Sequence, residues 1–83
     1  MTLSESREGD ELIIERLSGP LPFRHRMAEL GLLTGKTIRV VRYAPFKDPL
    51  EFTLHAGRLA LRIHEADQVH VHLIRRATES GQS

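Results

Sequence analysis

The chain contains no cysteine, so it can form neither a disulfide nor a thiolate metal site, and it has no thiol nucleophile. It has no tryptophan, and its aromatic residues are one tyrosine and three phenylalanines. Its apolar stretches are only a few residues long, and its first residues lack the basic and apolar regions of a secretory signal. We therefore expect a cytoplasmic protein that is neither exported nor inserted directly into a membrane.

An excess of charge of one sign is also missing. Twelve Lys and Arg residues face eleven Asp and Glu residues, which gives a net charge of +1, well short of the basic excess of a dedicated nucleic-acid binder. The sequence shows no glycine-rich phosphate loop, no nucleophile beside a base and no carboxylate pair with an obvious cleft. With 83 residues, of which 40% are apolar and 28% charged, we expect one small folded module that is not an enzyme.

The two ends of the chain are polar and show no hydrophobic period, as is common in segments outside a folded core. No internal repeat and no long linker divides the part between them. We therefore expect a flexible N-terminal segment (1–8), one folded domain (9–75) and a disordered C-terminal tail (76–83).

Hydrophobic periodicity predicts one helix. Phe23, Met27 and Leu30 follow at i, i+4 and i+7 after Pro22, a residue that suits the first turn of a helix. Gly31 then stands where a left-handed C-cap is needed, and Leu32 follows it. We predict a short amphipathic helix over 22–30.

Five short segments predict strands, because their apolar residues alternate or are β-branched and glycine, proline or a break in the pattern separates them. Curling such strands into a small barrel buries one apolar face of each. Periodicity alone does not separate an SH3-like barrel from an oligonucleotide-binding barrel. The predicted strands are 12–17, 38–43, 50–54, 58–63 and 69–73.

Three segments resemble motifs of the FeoA family. Residues 26–35, RMAELGLLTG, resemble its R-[LM]-x-E-L-G-[LMI]-x-x-G signature, residues 44–50 resemble its A-P-x-G-D-P-[IL] loop, and residues 59–66 resemble its L-A-L-R-x-x-E-A segment. Lys47 departs from the family's usual glycine, and His64 stands where arginine is common. Lysine tolerates positive φ poorly, so the turn type of the family's loop is not carried over to this chain.

The resemblance implies a mainly β fold, a small five-stranded SH3-like barrel with one short α-helix after the first strand. It also implies a function. FeoA-family proteins are cytoplasmic accessory proteins of ferrous iron uptake that bind and modulate the FeoB-type membrane transporter, whose soluble part is a GTP-binding domain.

The candidate partner-binding residues lie in two places. Tyr43, Pro45 and Phe46 form an apolar and aromatic group outside the core pattern, and such groups bind extended segments in related barrels. The other interpretation, which single loop aromatics more often fulfil, is that Phe46 folds back over an open barrel end. Arg24 and Arg26 lie on the outer faces of the predicted helix, where arginines are ordinarily solvated or paired.

Histidine supplies a candidate metal site. His70 and His72 are two apart on a strand, so they project from the same non-core face about 7 Å apart. Zinc or iron(II) could bind there if His64, Glu65, water or a second copy of the chain completed the ligand set, which would link a homodimer. The alternative is a polar strand face without metal, and we expect no required cofactor.

The alternative function is that of a small regulatory or nucleic-acid-binding barrel unrelated to transport. Ten of the twelve basic residues are arginine, and Arg39, Arg58 and Arg62 lie on predicted strands. The net charge near zero and the scarcity of aromatic residues argue against it. We expect no nucleic-acid partner.

Overall fold

A computed structural model of the chain describes residues 1–77 as a five-stranded antiparallel sheet in the order β4-β3-β2-β1-β5. The strands are β1 Glu11–Leu17, β2 Thr37–Tyr43, β3 Leu50–Leu54, β4 Gly57–Leu61 and β5 Val69–Arg75. Helix α1 spans Leu21–Glu29, helix α2 spans Ile63–Ala66, and a 3-10 turn covers Leu3–Glu5. The predicted five strands and the short helix after the first strand are confirmed.

Alternation along the strands builds the core. Leu12 and Ile14 of β1 are buried, as are Leu50, Phe52 and Leu54 of β3. Because successive side chains of a strand point to opposite faces, each strand gives one apolar row to the interior and one polar row to solvent. The other buried apolar side chains are Leu3, Met27, Leu32, Ile38, Val40, Leu61, Ala66, Val69 and Val71.

Helix α1 ends in the glycine cap that the sequence predicts. Gly31 has φ +98°, its N–H donates to the Ala28 carbonyl at 2.9 Å, and the Leu32 N–H donates to the Met27 carbonyl at 3.0 Å. These are the two hydrogen bonds of a Schellman motif, and the buried Leu32 and Met27 are its hydrophobic pair. Leu30 differs from its predicted core position: it is the C-cap residue and 45% exposed.

The fourth strand ends earlier than predicted. Periodicity places Ile63 on the inward face of a strand, whereas the chain turns into α2 at that residue. The first backbone N–H groups of this turn have carboxylate partners, since Arg62 N–H donates to Glu65 and Ile63 N–H donates to Asp48. Ile63 still packs against the core from its helical position.

The N-terminal segment differs from the flexible segment expected for residues 1–8. Leu3 is fully buried, and Thr2 forms an isolated antiparallel bridge with His70. The Tyr43 hydroxyl donates to the Ser6 carbonyl at 2.6 Å. A single leucine in a polar stretch gives no hydrophobic period, although its side chain fills a place in the core.

The C-terminal boundary also differs, because the tail was expected to begin at residue 76. Arg76 donates two hydrogen bonds to the fully buried Asp10, at 3.1 and 3.0 Å. The Arg7 backbone N–H donates to the same carboxylate at 2.8 Å. The rest of the expected tail, residues 78–83, lies outside the described residues. Neither helix in residues 1–77 has the length and apolar character that crossing a bilayer requires.

Candidate partner-binding site

Phe46 lies at the tip of the loop between β2 and β3 with its side chain 93% exposed. The Lys47 N–H donates to the Ala44 carbonyl at 2.7 Å, which closes a turn with Pro45 and Phe46 at its corners. Proline favours the first of these corners, because its φ is already fixed near the value the turn needs. The turn therefore presents Phe46 to solvent, and the interpretation that Phe46 covers a barrel end is wrong.

The base of this loop is fixed to α2. The Asp48 carboxylate accepts the Ile63 N–H at 3.3 Å and lies 3.7 Å from the Arg62 guanidinium. Lys47 adopts φ +70°, a left-handed conformation that usually calls for glycine. The loop is thus anchored at its base and strained at Lys47, while its tip projects.

Tyr43 has a structural role in place of the predicted exposed one. Its side chain is half-buried and its hydroxyl is bonded to the N-terminal segment. Beside it an open groove of about 410 Å³ separates that segment from the β2–β3 loop. The groove is lined by Ser4, Ser6, Arg7, Glu8, Tyr43, Lys47 and Ile63.

Arg24 and Arg26 are exposed, and each contacts a neighbouring element. Arg24 Nε donates to the Gly19 carbonyl at 3.0 Å, ahead of α1. Arg26 forms an ion pair with Glu65 of α2, and its guanidinium lies 5.8 Å from the Phe23 ring centroid. Each guanidinium keeps further N–H donors, and the Arg26 side chain is 58% exposed, so both can still bind a partner.

No three of the four candidate metal ligands are brought together. The Glu65 carboxylate accepts hydrogen bonds from the Arg26 guanidinium and from the Arg62 N–H, so both of its oxygens already have a partner. His70 Nε2 lies 3.0 Å from the Ser18 hydroxyl, whereas His72 is exposed. Among residues 1–77, no three His, Asp or Glu side chains are close enough to hold a metal ion. The described part of one copy therefore does not fit a closed metal site.

A family model described as the FeoA domain matches residues 1–73. The chain belongs to the FeoA family. Residues 3–8, which lack any hydrophobic period, fall inside the matched range, in agreement with the burial of Leu3.

Relatives of known sequence and structure agree with this membership. An Fe(2+) transport protein A/Fe(2+) transporter FeoB fusion protein of Porphyromonas gingivalis is 40% identical over 74 residues, which are 89% of this chain and 9% of that protein. The chain thus spans less than a tenth of the length of this relative. The names of the relatives associate the FeoA family with ferrous iron transport.

Two solved structures share the fold. The FeoA protein of Chlorobium tepidum is 30% identical with a TM-score of 0.84, covering 100% of this chain and 79% of its own. FeoA of Stenotrophomonas maltophilia, solved in complex with zinc and described as a prokaryotic SH3 domain protein, is 33% identical with a TM-score of 0.79. That match covers 93% of this chain and 99% of the other. The SH3-like architecture is confirmed.

Sequence reasoning missed an exposed apolar group around α1. Leu21, Leu30 and Leu33 are 51%, 45% and 46% exposed. Helical spacing assigned Leu30 to the core, and only the position of the cap one residue later could have corrected that assignment. In the FeoA signature of this chain, the buried apolar positions are therefore Met27 and Leu32.

Proposed function

We propose that this chain is an accessory protein of ferrous iron uptake that binds and modulates an FeoB-type transporter at the cytoplasmic GTP-binding domain. The observation that carries the proposal is the relative in which a segment 40% identical to this chain is joined to FeoB in one polypeptide. Domains joined in one chain meet at a high effective concentration. Where the two domains are separate chains, the same arrangement requires binding through a docking surface.

Phe46 and Pro45 are the best candidates for that surface. An aromatic ring that is 93% exposed loses much contact with water when a partner covers it, and buried aromatic anchors supply a large share of binding energy in interfaces. The Ala44–Lys47 hydrogen bond and the Asp48 anchor already fix the loop. A fixed loop loses little conformational entropy on binding.

Truncation of the ring tests this surface. We expect Phe46→Ala to weaken binding to the transporter about tenfold or more, because an anchor residue contributes at least 1–2 kcal/mol. Its free energy of unfolding should stay within about 0.5 kcal/mol of the wild type, since the ring makes almost no contact with the core. Calorimetric titration with the soluble GTP-binding domain, and with detergent-solubilised full-length transporter, measures the first quantity. Urea unfolding measures the second.

The matched control is Ile74→Ala, which removes an apolar side chain that is 51% exposed on β5. It should leave the affinity unchanged. If both substitutions weaken binding equally, the Phe46 loop is not a specific part of the interface.

The transporter assignment has its own test. Deletion of the gene should lower ferrous iron uptake, and expression of the wild-type chain should restore it. If neither transporter preparation binds the wild-type chain and deletion leaves uptake unchanged, the proposed function is wrong.

A further inference from the structure

The ten arginines of this chain differ in the side-chain hydrogen bonds that they donate. Four of them donate side-chain hydrogen bonds within the fold: Arg24, Arg26, Arg75 and Arg76. Arg39, Arg42 and Arg58, on the outer side of the sheet, donate none to any residue in 1–77. Each guanidinium carries five N–H donors, so these three have most of their binding capacity directed to solvent.

Strand register brings these three side chains together. Arg39 on β2 pairs with Thr53 on β3, which pairs with Arg58 on β4, and Arg42 pairs with Glu51 in the next row. Neighbouring strands lie about 4.8 Å apart, which places the backbones of Arg39 and Arg58 roughly 10 Å from each other. We call this surface, Arg39, Arg42, Glu51, Thr53 and Arg58, the arginine face.

Glu51 lies close to two of the arginines and leaves most of their N–H donors without a partner. Its carboxylate lies 3.5 Å from Arg42 Nε and 3.6 Å from Arg58 Nη1. Both contacts are longer than a strong charge-assisted hydrogen bond. The Arg42 and Arg58 side chains remain 52% and 61% exposed, against 24% for Glu51.

The arginine face carries an excess of two positive charges, three guanidinium groups against one carboxylate. The whole chain has a net charge of only +1, so the remainder carries one net negative charge. Glu11 on β1 faces Arg39 from the other side but is hydrogen-bonded to Arg75 at 2.8 Å. Since that pair is neutral, it leaves the local excess unchanged.

We propose that the arginine face binds an extended acidic segment of a partner protein. Guanidinium groups hold carboxylates through paired N–H donors, and in an extended segment every second side chain points the same way at about 7 Å intervals. Within residues 1–77, β4 pairs only with β3 and ends the sheet, so a segment can reach Arg58 without displacing a strand. This binding does not depend on the Phe46 loop.

A nucleic acid fits the arginine face less well. Its five residues include no aromatic ring on which a base could stack, and the Glu51 carboxylate at its centre repels a continuous phosphate backbone. An acidic segment has separate carboxylates that can lie on either side of Glu51. The chemistry of the face therefore favours a polypeptide.

The probe is a fluorescein-labelled peptide in which glutamate alternates with threonine, followed by anisotropy at about 50 mM and about 300 mM salt. We expect the wild-type chain to bind it and to bind more weakly at the higher salt concentration. Arg39→Gln/Arg58→Gln should weaken binding about tenfold, the effect of losing two exposed charge pairs. Arg39→Lys/Arg58→Lys keeps the charge and should recover only part of the affinity, because lysine lacks the planar fork.

The matched control is Arg7→Gln/Arg16→Gln, which removes the same charge from exposed positions outside the arginine face. It should change the affinity by less than about twofold. Equal weakening by the two glutamine pairs would overturn the proposal, as would failure of the wild type to bind the probe. Tighter binding of a single-stranded oligonucleotide than of the acidic peptide would reassign the face to nucleic acid. If the Arg39→Gln/Arg58→Gln variant does not fold, the Arg39→Lys/Arg58→Lys variant decides the outcome. Circular dichroism shows whether that variant is folded, and its affinity for the probe is then compared with that of the wild type.

Discussion

Asp10 joins three parts of the chain at a single residue. Its carboxylate accepts hydrogen bonds from Arg76 beyond β5 and from the Arg7 backbone, and its own carbonyl accepts the Val40 N–H at 2.9 Å. Burial by itself raises the pKa of the Asp10 carboxyl, but the bonds from Arg76 and Arg7 outweigh it and hold that pKa below its ordinary value. The folded state therefore favours the charged form, although the residue is fully buried.

The sign of this pKa shift predicts a dependence of stability on pH. A carboxyl whose pKa is lower in the folded chain adds to the free energy of unfolding. The contribution is complete at a pH above the unfolded-state pKa of about 3.9, and it is lost as the pH falls through the folded-state pKa. At neutral pH we expect Asp10→Asn to lower the free energy of unfolding by about 2 kcal/mol, the range for hydrogen bonds to a charged group. The difference from the wild type should narrow below about pH 4.

Urea unfolding at neutral and acidic pH measures both effects. Glu15→Gln is the control, since it changes the charge equally at an exposed carboxylate that accepts no hydrogen bond from the described part of the chain. If Asp10→Asn lowers the free energy of unfolding by the same amount at every pH, the charge of Asp10 does not stabilise the fold.

Lys47 shows strain at one residue. A left-handed conformation costs a residue with a Cβ about 1–2 kcal/mol, and glycine avoids that cost but loses some of the gain through its more flexible unfolded state. We expect Lys47→Gly to raise the free energy of unfolding by about 0.5–1 kcal/mol. Lys47→Ala, which keeps the Cβ, should change it by less than about 0.5 kcal/mol. If alanine stabilises as much as glycine, removal of the lysine charge and not of the strain is responsible.

At the scale of elements, the end of α1 depends on a glycine that also packs closely. A Cβ added to Gly31 would lie 3.1 Å from Leu54 Cδ2, whereas one added to Gly35, which has φ +90°, would meet nothing within 4 Å. The two glycines thus share a conformational constraint and differ in their surroundings. They form a natural pair for separating backbone strain from packing.

We expect Gly35→Ala to lower the free energy of unfolding by about 1 kcal/mol, because of its backbone conformation alone. Gly31→Ala should lower it by about 1–3 kcal/mol, because Leu54 must also move. Thermal and urea unfolding of both variants give the comparison. Equal costs would show that Leu54 adapts freely and that only the helix cap matters.

Local signals predicted the elements well, and long-range contacts account for what they missed. Gly31 and the alternation of β3 follow from spacing within a few residues, so the sequence alone was sufficient for them. The burial of Leu3 depends on strands far along the chain, and the partner of Arg26 is Glu65, 39 residues away. The exposure of Phe46 follows from a turn whose closing hydrogen bond the sequence pattern did not reveal.

At the scale of the whole molecule, the N-terminal segment completes the core. Thr2 bridges His70, the Val71 N–H donates to the Met1 carbonyl at 2.8 Å, and Leu3 is buried among residues of the sheet and α2. The segment thus pairs with β5 along the edge that β1 does not occupy, and it supplies a side chain to the interior. Ser4, Ser6 and Glu8 add hydrogen bonds to Asp67 and Tyr43, so the segment contacts the fold along its length.

Leu3→Ala tests whether this segment belongs to the cooperative unit. Removing a fully buried leucine side chain from a packed core costs about 2–5 kcal/mol through lost transfer energy and the cavity left behind. We expect a loss in that range, measured by urea unfolding with circular dichroism and tyrosine fluorescence, since Tyr43 contacts the same segment. Leu33→Ala, at a leucine that is 46% exposed, should cost no more than about 0.5 kcal/mol. If the two substitutions cost the same, or if the two signals report different unfolding midpoints for the wild type, residues 1–8 detach independently of the barrel.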